Sequence, residues 1–503
     1  MAAVAVATAL VPPGALGATP VRFSKPIFVD RQLAGGEPLV IADVKHHTLI
    51  YTAHEGTTHL YRNGIINPVD FVANYRNQVN IWVSTDDGRT WTRDNFDGTG
   101  FQTNPGKNTG FSDPDLTQDA GGRVYNTGID LANDALFSTI DGGYNWDRGT
   151  VQCHDGDRPW LAGGRKDEVF MGTNTAEGAI AHEVFQSTDG GNTCSAEGFS
   201  NGGTLADGTD YSGNGKLFYR KDRLIEPVTF SRNEKTTGLG TATWKRGQTE
   251  FSKPVRAVKT TMFAHWPSIA LDSAGIVYMV WDTDPRKAGT MGGCSGNPTP
   301  LPNAIKMVVS RDFGRTWSKP INIAKPAGAR VYWPWIAAGD KGRVSVVWYQ
   351  TDRVADLDCT PAKTSIYEAT LLRAATAQPT AQVVNAAGRV IHTNFVCQGG
   401  TTCVATGQDR RLGDFFTNAI DPRGCVLIAS GDTTVKAANG TERPTALPIF
   451  LRQTSGPSLK LGRTCGPKRK PGGGGGGGPG GGGGGDDDGQ GQGDGGDDPS
   501  LAR

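Results

Sequence analysis

Ser84-Thr85-Asp86-Asp87-Gly88-Arg89-Thr90-Trp91 recurs three more times in this chain. The copies are Thr139-Ile140-Asp141-Gly142-Gly143-Tyr144-Asn145-Trp146, Ser187-Thr188-Asp189-Gly190-Gly191-Asn192-Thr193-Cys194 and Ser310-Arg311-Asp312-Phe313-Gly314-Arg315-Thr316-Trp317. The shared pattern is S/T-x-D-x-G-x-T/N-W, and each residue type suits a tight turn between two strands. The hydroxyl and the carboxylate take nearby backbone N–H groups, the glycine (Gly88, Gly143, Gly191, Gly314) supplies a positive φ, and the tryptophan (Trp91, Trp146, Trp317) opens the next strand and buries its ring. Four copies in register identify a repeated β unit.

A looser phrase, D-x-x-G-x-V-Y, accompanies the first. Asp119 to Tyr125, Asp272 to Tyr278 and Asp340 to Ser345 carry it clearly. Weaker copies run from Asp43, Gly164, Tyr211 and Asp421. An Asp/Gly turn followed by alternating β-branched or aromatic residues reads as a hairpin. Upstream of most copies a short apolar run begins at a proline: Glu37-Pro38, Asp113-Pro114, Arg158-Pro159, Trp266-Pro267 and Trp333-Pro334, with Gly413-Asp414 in the last unit. Each unit then reads strand, Asp/Gly turn, strand, loop, strand, box turn, strand, over about 40–65 residues, the size of a propeller blade with insertions. The predicted fold class is all-β, a β-propeller of four-stranded antiparallel blades. Seven blades follow if Gly203 to Tyr219 is a degenerate fourth, and six if it is an insertion. An open sandwich would explain the strands but not the fixed order of the repeats.

The 503-residue chain is long enough for several domains, but the repeats fill most of it, so residues 20–465 are expected to form one propeller. Net charge is +1 with acids and bases interspersed, which gives no basis for a nucleic-acid or anionic-membrane partner. No run is long and apolar enough to span a bilayer. Residues 1–19 are small and apolar, with Ala15-Leu16-Gly17-Ala18 resembling a signal-peptidase site, but they lack a basic start. They read as a signal peptide or a disordered N-terminus. Residues 466–503, polyglycine followed by Asp/Gly, have nothing to bury and are expected to be disordered.

Eight cysteines, an even number, suit disulfides in a secreted or cell-surface protein. Sequence order suggests Cys153–Cys194, Cys294–Cys359, Cys397–Cys403 and Cys425–Cys465. In the third box Cys194 replaces the tryptophan, where a staple would make good the lost aromatic packing. No paired spacing for zinc is present, and no metal ligand is expected. No cofactor is expected either; the Asp-rich end offers oxygen ligands for calcium but lacks the closing glutamate of an EF-hand loop.

The boxes resemble those of the sialidase superfamily, whose propellers carry the same motif (BNR repeats), and the resemblance covers roughly Gly35 to Leu461. It implies that the boxes lie at the outer edges of the blades, away from substrate. Ser84, Asp86, Asp141, Ser187, Asp189, Ser310 and Asp312 are accordingly assigned structural roles. The strand starts, by contrast, should converge on one mouth of the axial channel. They bring Glu37, Asp113 with Asp115, Asp157 with Arg158, His265 with Trp266, Tyr332 with Trp333, and Arg411 with Asp414. Acids, arginines and indoles around a concavity suit a glycan: guanidinium groups bind carboxylates bidentately and indoles stack on sugar faces.

What the resemblance implies about chemistry is an exo-alpha-sialidase-like glycoside hydrolase acting on terminal acidic sugars. In that family three arginines hold the sugar carboxylate, a Tyr activated by a Glu is the nucleophile and an Asp is the acid/base. The corresponding candidates are Arg158, Arg330 and Arg411 as clamp, Tyr332 as nucleophile, Glu37 or Glu226 as its base, and Asp113 as acid/base. Trp266, Trp333 and Asp414 complete the substrate-binding set. The chain departs from the family at its first strand, where Glu37 stands in place of the Arg-Ile-Pro arginine. The chain is expected to be a monomer, and two alternatives stay open: a non-catalytic cell-surface or secreted propeller that binds glycan or protein, and a lyase or hydrolase working through Asp113 and Asp414.

Overall fold

The computed structural model describes residues 19–54, 59–61, 79–94, 112–130, 133–147, 153, 156–175, 182–233, 235–262, 266–283, 302–400 and 402–466. The N-terminal segment, the glycine-rich tail with its candidate calcium ligands, His265 and Cys294 lie outside them. The described residues form seven antiparallel sheets, a seven-bladed propeller with almost no helix.

Blade 1 comprises Gly36–Asp43, Thr48–His54, Val79–Ser84 and Thr92–Asp94. Blade 2 has Ser112–Gln118, Val124–Asp130 and Asn133–Thr139, with a bridge from Ser138 to Asp147 where a fourth strand would run. Blade 3 is Asp157–Gly163, Val169–Asn174, His182–Ser187 and Phe199–Ser200. Blade 5 is Ser268–Leu271, Val277–Asp282, Ile305–Ser310 and Ile321–Ala324, and blade 6 is Val331–Ala338, Arg343–Thr351, Thr364–Leu372 and Thr380–Asn385.

Blade 4 is the irregular one, and its existence makes the count seven. Its inner position is shared by Asp210–Gly213 and Phe218–Arg220, both paired with Arg223–Arg232, and Lys235–Lys245 and Val255–Val258 follow. Gly202–Thr204 adds a further strand beside Asp210–Gly213. Blade 7 closes the ring. Thr417–Ile420, Val426–Asp432 and Leu447–Ser455 come from the C-terminal region, and Arg22–Phe23 and Ile27–Phe28 pair with the last of them. Closure of this kind leaves no long unpaired edge.

The boxes act as their residue types require. Ser84 Oγ donates to Asp86 Oδ1 at 2.9 Å and accepts from Gly88 N at 2.9 Å. Asp86 also takes the N–H and hydroxyl of Thr90, and Trp91 Nε1 donates to the Gly88 carbonyl. The same bonds recur around Asp141 and Asp312, and around Asp189 apart from the missing indole. Each box glycine packs against the preceding blade: Gly88 against Phe450, Gly143 against Val83 and Ile50, Gly191 against Leu136, Gly314 against Thr241. The boxes therefore fasten blade to blade around the ring. Cys194, which replaces the tryptophan, is bonded to Cys153; Cys397–Cys403 and Cys425–Cys465 are also disulfides, and Cys359 is disulfide-bonded.

Strand order fixes the two faces. The box turns follow each third strand and the Asp/Gly turns each first strand, so both lie on one face. The strand starts lie on the other. Beneath them Trp160, Trp266, Trp335 and Phe415, from blades 3, 5, 6 and 7, meet with ring centroids 5.1–5.8 Å apart. These side chains are buried and form an aromatic floor across the axis.

Candidate functional site at the axial mouth

Four of the strand starts are bulges, not simple extensions. Pairing slips between Gly36 and Leu39, Ser112 and Asp115, Asp157 and Trp160, and Tyr332 and Trp335. In these four the residue before the proline takes a positive φ: Glu37 49°, Asp113 47°, Arg158 64° and Trp333 51°. A pre-proline residue is normally held in the extended region, so each of these backbones is strained by about 1–3 kcal/mol. The bulge turns the side chain out of the strand.

Glu37 is fully buried and stands at the centre of the site. Its Oε2 accepts from Asp113 N at 3.1 Å and from Ser112 Oγ at 3.4 Å; Oε1 accepts from Asp414 N at 2.9 Å and meets His59 Nε2 at 3.0 Å. His54 Nε2 lies 3.4 Å from Oε2. Burial works to raise the Glu37 pKa, but the charge of His59 and hydrogen bonds from both imidazoles outweigh it and hold the carboxyl well below its ordinary range. His59 itself is lowered to about 4, by burial first and against the attraction of Glu37. The His59 charge thus acts on Glu37 only in the acid range; at pH 7 the imidazole is neutral and the Glu37 anion rests on the backbone N–H groups and hydroxyl that surround it.

Asp113 stands in front of Glu37, 8% exposed. Burial, then the charges of Glu37 and Asp157, push its pKa well above the usual carboxylate range, and Arg158 opposes them. Behind the pair, Arg410 grips Asp414 through both Nη atoms at 2.6 and 2.9 Å. On the rim, the Arg158 guanidinium lies 4.9 Å over the Trp266 ring with Nε 3.6 Å from Asp157. Its side chain is 24% exposed. On the inner wall Lys216 Nζ bonds both oxygens of buried Asp115 and the carbonyls of Leu116 and Leu161.

Of the residues expected from sequence, Glu37, Asp113, Arg158, Trp266 and Asp414 come together here. The others lie elsewhere. Tyr332 is fully buried, with its hydroxyl 3.0 Å from Thr364 Oγ1, and burial raises its pKa well above the phenol range. Glu226 is buried between blades 3 and 4 and takes His182 and Asn201. Arg411 is held on Asp409 through Nε and Nη2, and Nη1 donates to the Arg443 carbonyl. Arg330 is 3% exposed and Arg411 1%, so Arg158 is the member of the expected clamp that meets solvent. Trp333 is buried against Tyr332 and Tyr349, and its Nε1 donates to Gln398. Trp266 is covered by Arg158, so it supports that guanidinium and does not present an open face.

Sequence reasoning missed His54, His59 and Arg410. His54 ends the second strand of blade 1 and pairs with Gly36, and a Cβ on Gly36 would stand 2.5 Å from the imidazole Nε2. The Gly35-Gly36-Glu37 run was the available signal, and it marks a close approach with no motif attached. Among the described residues, Glu37, His54 and His59 form a group whose ligand atoms lie close enough together to hold a metal ion.

No protein-family model matches the chain. No curated protein matches it either. Solved structures similar to it include a protein of unknown function from Dyadobacter fermentans (15% identity over 87% of this chain and 100% of that one, TM-score 0.42). Another is an ulvan lyase from a new family of polysaccharide lyases (12%, 84% and 97%, TM-score 0.43). A third is the intramolecular trans-sialidase of Ruminococcus gnavus in complex with oseltamivir carboxylate (14%, 85% and 96%, TM-score 0.36). At these identities and scores the likeness transfers no residue role to this chain.

Proposed function

We propose that this protein is a secreted glycan-cleaving propeller that takes an acidic sugar at the axial mouth, with Asp113 as the proton-transferring acid and Arg158 as the contact for the sugar carboxylate. One juxtaposition carries the reading. Asp113 and Arg158 occupy equivalent bulge positions of adjacent blades, close enough for the Arg158 charge to act on the Asp113 carboxyl, and Arg158 lies over Trp266 of the aromatic floor. Breaking a glycosidic bond needs an acid for the leaving oxygen and a second carboxylate to act at the anomeric carbon or on water. Asp157, exposed beside Arg158, supplies that second group. Stacking on Trp266 fixes Arg158 before substrate arrives, which lowers the entropy lost when it grips a carboxylate. A sialidase-type reaction is the narrower form of this proposal. A secreted protein accords with the disulfides.

The test is turnover of fluorogenic sialosides, glucuronides and uronate-containing polysaccharides by the purified protein. Asp113→Asn is expected to lower kcat by about 10²–10⁴-fold. Arg158→Ala is expected to raise KM by roughly 10–100-fold, the worth of a charge-assisted hydrogen bond. Saturable binding without turnover, lost in Arg158→Ala, would replace cleavage with glycan binding. Neither binding nor turnover across the panel would overturn both.

A further inference from the structure

We propose that Glu37, His54 and His59 form a site for one divalent transition-metal ion of the zinc class, a role separate from the glycan reading. The three side chains arrive from different segments: the strained bulge of blade 1, the end of its second strand, and position 59, five residues further on. Yet their ligand atoms all lie within 4.8 Å of one another. His59 Nε2 is 3.0 Å from Oε1 and His54 Nε2 is 3.4 Å from Oε2 of the same carboxylate, with the imidazole rings edge to face at 4.1 Å. Donors about 2.0–2.2 Å from a tetrahedral zinc ion stand roughly 3.3 Å apart, so a small ion fits among these atoms with slight adjustment.

The surroundings suit such an ion. Exposure of the three residues is 0%, 1% and 4%, so their rotamers are held by packing. The missing Cβ of Gly36 is what admits the His54 ring. Two imidazoles and one carboxylate favour zinc and its first-row neighbours over calcium or magnesium, which take oxygen shells. Asp113 and Asp414 already donate their backbone N–H groups to Glu37, an outer shell that holds the carboxylate oriented. An ion here would place positive charge next to the Asp113 carboxyl.

Chelator-stripped protein titrated with Zn²⁺ by calorimetry, and with Co²⁺ by visible absorption, provides the test. One ion per chain and cobalt d–d bands are expected. Both should be lost, or weakened about 100-fold or more, in His54→Ala and His59→Ala. His182→Ala, which disturbs a buried His–Glu pair lacking a second imidazole, should leave them unchanged. Should the alanine variants misfold by circular dichroism, Glu37→Gln keeps the size of the side chain and must show the same loss. Absence of cobalt bands and of saturable zinc heat on native protein would overturn the proposal, as would unchanged affinity in the folded ligand variants. None of these readouts depends on glycan cleavage.

Discussion

Glu37, Asp113, Arg158 and Trp333 each precede a proline and each hold a positive φ, and three of the four border the axial mouth. Strain at repeated positions persists only where the surroundings fix it, and here a neighbouring carboxylate takes the bulge N–H: Glu37 for Asp113, Asp282 for Trp333. Buried charge away from the mouth has a different consequence. Glu368, buried in blade 6, accepts from Ser345 and Thr370 through Oε1 and has no opposite charge among these hydrogen-bond partners. Burial raises its pKa from 4.5 to about 7, against those two hydroxyls. Its folded-state pKa exceeds the unfolded one, so the stability linked to it is full below about 4.5 and is lost as pH rises through about 7. Glu368→Gln should remove this dependence. Melting curves between pH 5 and pH 8 should show the variant nearly level, and at pH 8 more stable than the parent by about 3 kcal/mol. A parallel decline in both proteins would exclude Glu368 as the source.

At the scale of elements, the box is the unit that joins one blade to the next. Gly88 has a φ of +81°, and a Cβ there would overlap the Phe450 ring of blade 7. Arg452 of the same strand also binds Asp87 and Asp421. Gly88→Ala therefore combines a disfavoured backbone angle with a clash at the closing seam, and should cost about 2–4 kcal/mol in denaturant unfolding. Alanine at Gly247, which has a φ of +89° and nothing within 4 Å of the added carbon, should lose only about 1 kcal/mol. Equal losses would mean that the backbone angle, and not the fit between blades, sets the cost. The third box makes the same point in another way. Where Cys194 replaces tryptophan, its bond to Cys153 sits beside Tyr125, Leu136 and Phe185, the apolar site an indole would otherwise fill.

Over the whole molecule, closure depends on a segment about 430 residues from its partner. Arg22 pairs with Ser455, and Ile27 and Phe28 pair with Phe450 and Ile449. Deleting residues 1–28 would strip the outer strands from blade 7 and expose the edge of Leu447–Ser455. Calorimetry of the truncated chain should show one cooperative transition at a Tm lower by about 5 °C or more, with a tendency to self-associate through the bare edge. An unchanged Tm would show that the three remaining strands and the Cys425–Cys465 disulfide close the ring unaided.

The blades were legible because turn chemistry is local. Ser84, Asp86, Gly88 and Trp91 satisfy one another within eight residues, so the pattern survives in the linear sequence and repeats with the fold. Even the degenerate blade 4 kept enough of its hairpin to be counted. The strand starts were legible as positions, since a proline marks most of them, but not as conformations: nothing local announces that Glu37 or Arg158 sits in the left-handed region. The site itself came through only in part. Resemblance pointed to Tyr332, Arg330 and Arg411, which the structure buries against Thr364, in the interior and on Asp409 respectively. His54, His59 and Arg410 went unread. By itself, then, the sequence determined the repeat, the turns and the four-stranded blades, because those depend on neighbours along the chain, while the structure of blade 4 set the count at seven. Only the tertiary structure decided which charges share the mouth, because Glu37 meets Asp414 across 377 residues and only when the ring has closed.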